Sequence, residues 1–426
     1  MRQKHRQYPV FESFGPMKKL NGLLFVSLFL AFSQSLLAVK LKPGHWHTTF
    51  ELRAGINLPV DFFYEKGKIP ALIIQNGEEH IRLTQITSKD DSLFILFPTF
   101  DSELKIKVHS KTYLTGAWFN RAKSSSYFVA FTSQLSSLRR YSFEPKQLPL
   151  IDGKWEVTFD YLKDPEKAVG IFHYPIAENS NEDNSLYGTF LTETGDYRFL
   201  EGATIKDSLY LSCFDGSHAF LFRAHLKNDT LWGDFHSGSH YKTEWFAVKN
   251  ESFELRNPDS LTYIVNEKPL EFELMKLDGS YYKYPNESLQ NKVVLVQIMG
   301  TWCPNCLDES NYLKKIYAQY SDKLEILAVT FETQKTTEEK IEKVARYKEA
   351  LGLNYTFLIG GDACKPCASQ VFPQLSDIMS FPTLIFIDKK GEIRKIHTGF
   401  NGPGTGEHYT EFVKETDAFI EALIQE

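Results

Sequence analysis

The sequence predicts a multidomain chain in which N-terminal all-β repeats, forming a barrel or a sandwich, precede a C-terminal α/β domain. Three observations lead there. From about Lys42 to Asn250, short aromatic and β-branched runs alternate with turn signals at roughly 8–12-residue spacing. At Asn257-Pro258-Asp259 that pattern stops. Beyond it, apolar strand-like runs alternate with helical periodicity, the signature of an α/β sheet.

Composition sets the outer bounds. The chain has 426 residues, of which 42% are hydrophobic and 24% charged, so it is globular rather than disordered. Its 34 Phe and 21 Tyr favour strands and large buried cores. A formal net charge of −6 leaves no basic footprint, and no nucleic-acid partner is expected. The histidines show no HExxH or similar spacing, and no metal site is expected.

Residues 1–38 read as an upstream extension followed by a signal peptide. Lys18 and Lys19 precede the apolar run Leu23-Leu24-Phe25-Val26-Ser27-Leu28-Phe29-Leu30-Ala31-Phe32, and small residues follow up to Ala38. This is the layout of a secretory signal, too short for a comfortable membrane span of about 20 residues. The protein is therefore expected to be exported and periplasmic. The alternative is an uncleaved segment, residues 20–39, that anchors the chain in the membrane.

Residues 42–150 and 151–250 form the two β-rich repeats. Gly44-His45-Trp46 recurs as Gly153-Lys154-Trp155, and Asp91-Ser92-Leu93-Phe94 as Asp207-Ser208-Leu209-Tyr210. Thr115-Gly116-Ala117-Trp118-Phe119 is echoed by Leu231-Trp232-Gly233-Asp234-Phe235. Three signposts in one order suggest duplication of a unit of about 100 residues. Asn76-Gly77 and Asp215-Gly216 are hairpin turn signals.

Residues 260–426 form the α/β domain. Val293–Met299 is a buried-strand run, followed by a helix to about Tyr320, a strand at 324–331 and an amphipathic helix at Thr337–Leu351. A strand at 355–359 ends at Gly360-Gly361; a cysteine-bearing segment and a helix then lead to Pro382. Strands at 383–388 and 393–397 and a last helix from about Tyr409 complete the domain.

Four of the five cysteines fall in two C-x-x-C pairs, Cys303/Cys306 and Cys364/Cys367. The first pair, in Trp302-Cys303-Pro304-Asn305-Cys306, sits where a buried strand meets a helix. Cys303 at the helix start meets unpaired N–H groups and the positive end of the macrodipole, which favour thiolate. Cys306 in the first turn is placed to resolve a mixed disulfide. A structural disulfide fits this context poorly. A four-cysteine zinc site fits poorly too, because the gap between pairs far exceeds the usual spacing of about 15–20 residues. The fifth cysteine, Cys213, reads as a buried apolar residue on a strand.

With these residues in place, the chain resembles the thioredoxin superfamily, and within it the TlpA/ResA-like exported reductases. The resemblance covers about residues 267–426. It rests on the W-C-x-x-C motif, the strand before it, and Ser380-Phe381-Pro382-Thr383. It implies a thioredoxin-like domain, a protein-disulfide oxidoreductase, a cis Pro382 facing the cysteines, and a tuning role for Glu309. The segment 397–409 resembles a hallmark of family members with extra N-terminal domains. Two departures stand out: Gln297 replaces a buried Asp, and Asn305 replaces the proline before the second cysteine. Gln297 reads as a hydrogen-bonded buried amide, and Glu309 becomes the proton-handling candidate.

The expected site is thus Trp302, Cys303, Cys306, Glu309 and Pro382, and the chemistry calls for no cofactor. Partners are protein disulfides and, by the resemblance, a membrane thiol-electron carrier that recharges a reductase. Cys364/Cys367 is open between a second redox pair and a loop-pinning structural disulfide. A different class of function also stays open: a ligand-binding β-repeat protein with a redox-sensitive accessory domain.

Overall fold

The computed structural model describes residues 41–138, 140–141, 151–175, 185–266 and 268–426. The signal peptide expected within residues 1–38, and the extension before it, lie outside the described residues. Among the described residues, no helix is long and apolar enough to cross a membrane.

Two nine-stranded antiparallel sheets come first. Strands from Gly44–Arg53 to Phe128–Leu135 form an up-and-down sheet whose edges, Glu79–Leu83 and Ile86–Lys89, are consecutive in the chain. The second sheet runs from Gly153–Phe159 to Tyr241–Lys249. In it, Glu166–His173 pairs both with Gly153–Phe159 and with Ser185–Thr192, which closes a barrel. Closure removes the exposed edges that an open sheet must protect.

The duplicated signposts adopt matching geometry. Each G-x-W opens the first strand of its sheet. The indole of Trp46 donates to Lys42 O at 3.1 Å, and that of Trp155 to Ile151 O at 2.8 Å. Val108 N donates to Asp91 O, and Leu226 N to Asp207 O. The third signpost differs at its tryptophans: Trp118 is buried, whereas Trp232 is 46% exposed. What Gly116 and Gly233 share is a close approach, since a Cβ on either would strike a carbonyl of the neighbouring strand.

Aromatic side chains fill both interiors. In the barrel, Phe222 stacks between Phe190 at 4.4 Å and Phe235 at 4.3 Å, with Trp245 buried beside them. Fully burying one such ring contributes about 1.5–3 kcal/mol, so Phe222→Ala should cost about 3–5 kcal/mol. Phe214 leaves the barrel to pack on Phe50 at 4.6 Å, in the core of the first sheet. The apolar cavity in that core holds about 10 Å³, room for one water at most. Cys213 is fully buried on Ser208–Phe214.

The C-terminal sheet has seven strands. We number its elements β1 (Phe272–Lys276), β2 (Tyr281–Tyr284), β3 (Val293–Met299), α1 (Pro304–Tyr320), β4 (Leu324–Glu332), α2 (Thr337–Leu351), β5 (Thr356–Asp362), α3 (Lys365–Val371), β6 (Thr383–Ile387), β7 (Ile393–Thr398) and α4 (Glu407–Gln425). The order is β2-β1-β5-β4-β3-β6-β7, with β3, β4 and β5 parallel. Every residue of β3 is buried, as a central strand covered on both faces requires. The start of α2 is fixed by a capping box between Thr336 and Glu339, and its end by left-handed Gly352.

The sequence reading differs from the structure in three places here. The β1–β2 hairpin has no counterpart in it. Strand β5 runs through Gly360-Gly361 to Asp362, because a register shift opposite Phe331 absorbs the glycine pair. Helix α3 stops at Val371, well short of Pro382, because Pro373 cannot continue it.

Candidate active site

Strand β3 ends at Met299, and the chain turns through Gly300-Thr301-Trp302 into α1. Two side-on contacts fix this turn. The Thr301 N–H and hydroxyl donate to the Glu332 carboxylate at 2.9 and 2.7 Å, and the Trp302 indole donates to Phe331 O at 2.9 Å. Burial pushes Glu332 up to about 7. Glu332 escaped the sequence reading because it lies on the next strand.

Cys303 is the N-cap of α1 with Pro304 following it. Its Sγ accepts from Cys306 N at 3.3 Å and its thiol donates to Phe381 O, also at 3.3 Å. The Phe381–Pro382 bond is cis, as the resemblance implied. Trp302 packs edge-on to Phe381 at 5.7 Å. Cys303 is 7% exposed and Cys306 is fully buried behind it. Burial and the Cys303 sulfur raise the Cys306 thiol well above its ordinary range.

Glu309, three residues after Cys306 on α1, is fully buried. Its Oε2 accepts from Gln297 Nε2 at 2.8 Å, while Oε1 has no hydrogen-bond partner in the structure. Burial pushes Glu309 up to about 8, against the pull of the Gln297 bond. Gln297 also reaches Ser310 at 3.3 Å, and Ser310 accepts from the Tyr347 hydroxyl at 3.1 Å. Gln297 is thus the buried, bonded amide expected of it. The structure brings Trp302, Cys303, Cys306, Glu309 and Pro382 into one site.

The β region presses on this site, and nothing in the local sequence signals it. Ser217 donates to Trp302 O at 3.1 Å. Asn305 donates to Asp196 O at 3.4 Å and to Phe400 O at 3.2 Å. Ser380, just before the cis bond, donates to Thr194 O at 2.7 Å. Buried Arg198 reaches Pro304 O at 3.3 Å and pairs with Asp308, Glu79 and Asp215. Burial raises Asp308 to about 7, partly offset by Arg198, with Asp196 and Glu79 adding to the rise. Asp308 is thus held in the buried Arg198 cluster, away from the Glu309–Gln297 pair.

Cys364 and Cys367 are joined in a disulfide, with Cys364 as the N-cap of α3.

A dithiol at a helix start, faced by a cis-proline and backed by a buried carboxyl group, defines a thioredoxin-like protein-disulfide oxidoreductase. The Redoxin family model matches residues 265–411. Over 130 residues the chain is 32% identical to thioredoxin-like protein YneN of Bacillus subtilis, which covers 30% of this chain and 68% of that protein. Over 145 residues it is 30% identical to the thiol-disulfide oxidoreductase ResA of Geobacillus kaustophilus, covering 34% of this chain and 75% of that protein. Among solved structures, a putative thioredoxin from Neisseria meningitidis is 28% identical, with 34% of this chain and 87% of that one covered and a TM-score of 0.26. StoA from Bacillus subtilis is 20% identical, with 34% and 99% covered and a TM-score of 0.25. The chain belongs to the ResA-like thiol-disulfide oxidoreductases of the thioredoxin superfamily, and it carries an additional β-rich region ahead of the shared domain.

Proposed function

We propose that the protein is an exported reductase of protein disulfides. Cys303 thiolate attacks a partner disulfide, forming a mixed disulfide and releasing one partner thiolate. Cys306 then attacks Cys303 Sγ, which frees the partner and leaves a Cys303–Cys306 disulfide. Phe381 and Pro382 dock the partner's cysteine segment, and Glu309 exchanges protons with Cys306. A membrane thiol-electron carrier reduces the Cys303–Cys306 disulfide again. The expectation of export rests on the signal-like segment at residues 17–38.

The observation that carries this reading is the order of burial. Cys303 lies at the helix start beside the Phe381 carbonyl and is 7% exposed, whereas Cys306 and Glu309 are fully buried. That order suits attack by the first sulfur, resolution by the second and proton supply from within. The test is dithiol-driven reduction of insulin by the full chain. Multiple turnover is expected for the wild type and none for Cys303→Ser. Absence of turnover in the wild type overturns the reading and leaves a β-repeat binding protein as the alternative.

A further inference from the structure

We propose that Cys364 and Cys367 form a second dithiol–disulfide centre, which exchanges electrons with Cys303 and Cys306 along one edge of the sheet. Four observations carry the proposal.

The first is position. Strands β3, β4 and β5 are parallel and adjacent, so their C-terminal ends share one edge of the sheet. Cys303 follows the end of β3, and Cys364 follows the end of β5. Two strand spacings separate those ends, about 10 Å.

The second is local geometry. Each pair begins at a helix N-cap, with a proline in the first turn. In each, the first sulfur accepts from the N–H of the second cysteine, at 3.3 Å for Cys303 and 2.9 Å for Cys364.

The third is access. Cys303 is 7% exposed, and Thr194, Asp196 and Ser217 bond to Ser380, Asn305 and Trp302 around it. Cys364 and Cys367 are only half-buried. Lys365 and Pro366, between them, line a groove of about 850 Å³ with Glu193, Thr194 and Met379.

The fourth is redundancy as a clamp. Ala363 N already donates to Glu332 O, and Ala368 N to Cys364 O, so the backbone holds this turn without the sulfur bond. A disulfide spanning so short a loop constrains the unfolded chain least.

The exchange balances. Cys303 thiolate attacks Cys364 Sγ, a Cys303–Cys364 bond forms, and the Cys364–Cys367 bond breaks with Cys367 leaving as thiolate. Cys306 thiolate then attacks Cys303 Sγ and expels Cys364 as thiolate. Two electrons have moved. Cys303/Cys306 is oxidised, Cys364/Cys367 is reduced, and the protons lost by the first pair end on the second. The reverse sequence returns them.

The test uses the full chain. In Cys306→Ser, with Cys303 reduced and Cys364–Cys367 oxidised, peptides mapped without reduction should contain a Cys303–Cys364 link. Wild type should take up four electrons per chain in a native dithiol titration, and Cys364→Ser/Cys367→Ser only two. Insulin turnover of the same wild-type preparation reports the Cys303/Cys306 reading separately. No cross-link, together with a Cys364–Cys367 bond that resists reduction in the folded chain, reduces that pair to a structural clamp and overturns the proposal.

Discussion

Arg198 of the barrel and Asp308 of α1 form a buried ion pair beside the redox motif, with the arginine also held by Glu79 of the first sheet. One guanidinium therefore ties the first sheet and the barrel to the start of the active-site helix. Its planar fork suits several carboxylates at once.

Removing that cation should be costly. Arg198→Ala leaves Asp308, Glu79 and Asp215 buried without their counter-ion, and breaking a buried pair on one side costs about 3–5 kcal/mol. Chemical denaturation of the full chain should show that loss. A change under about 1 kcal/mol would mean that solvent reaches the cluster.

Glu309 should make stability fall as pH rises. Its carboxyl is raised from an ordinary 4.5 to about 8 in the fold, so the folded state favours the neutral form. The stability this contributes is complete below the unfolded value and is lost as pH climbs through the folded one. Over that window wild type should lose up to about 1.4 kcal/mol per pH unit relative to Glu309→Gln. Parallel stability curves for the two proteins from pH 4.5 to 8 would place the carboxyl in water.

The same variant should lower the pKa of Cys306, because an ionised carboxyl near it opposes a second negative charge. Asp308→Asn should do much less, since its charge is already shared with Arg198. Thiolate absorbance against pH reads both. Identical titrations for wild type and Glu309→Gln would remove Glu309 from proton handling.

Gly195 and Asn305 should show coupled energetics. A Cβ on Gly195 would sit 2.1 Å from Asn305 Nδ2, and the glycine is at φ 140°. Gly195→Ala should cost roughly 1–3 kcal/mol from collision and backbone strain together. Adding Asn305→Ala should recover the collision part only. Full additivity in this double-mutant cycle would show that the loop moves aside instead.

Cys306→Ser should accumulate mixed disulfides with protein partners, because Cys303 can still attack but nothing resolves the product. Non-reducing electrophoresis of the variant after exposure to a disulfide protein reads this directly. Sustained multiple turnover by Cys306→Ser would contradict the roles given to the two sulfurs.

Local pattern was enough for much of this protein. Alternating apolar residues and turn dipeptides marked the strands, and amphipathic periodicity marked the helix Thr337–Leu351 to both ends. The strand-to-helix setting of Trp302-Cys303-Pro304-Asn305-Cys306 located the chemistry, since an N-cap is a property of adjacent residues. Packing decided the rest. At i,i+3 from Cys306, Glu309 suits either a solvated face or a sealed one, and only β3, with Gln297 against it, chose the sealed one. Glu332, Ser217, Asp196 and Arg198 reach the motif from other strands and from the barrel. Periodicity reports which face of an element is apolar. It carries no information about which distant loop comes to rest on that face, because that depends on the shapes and charges of two surfaces that exist only once both have folded.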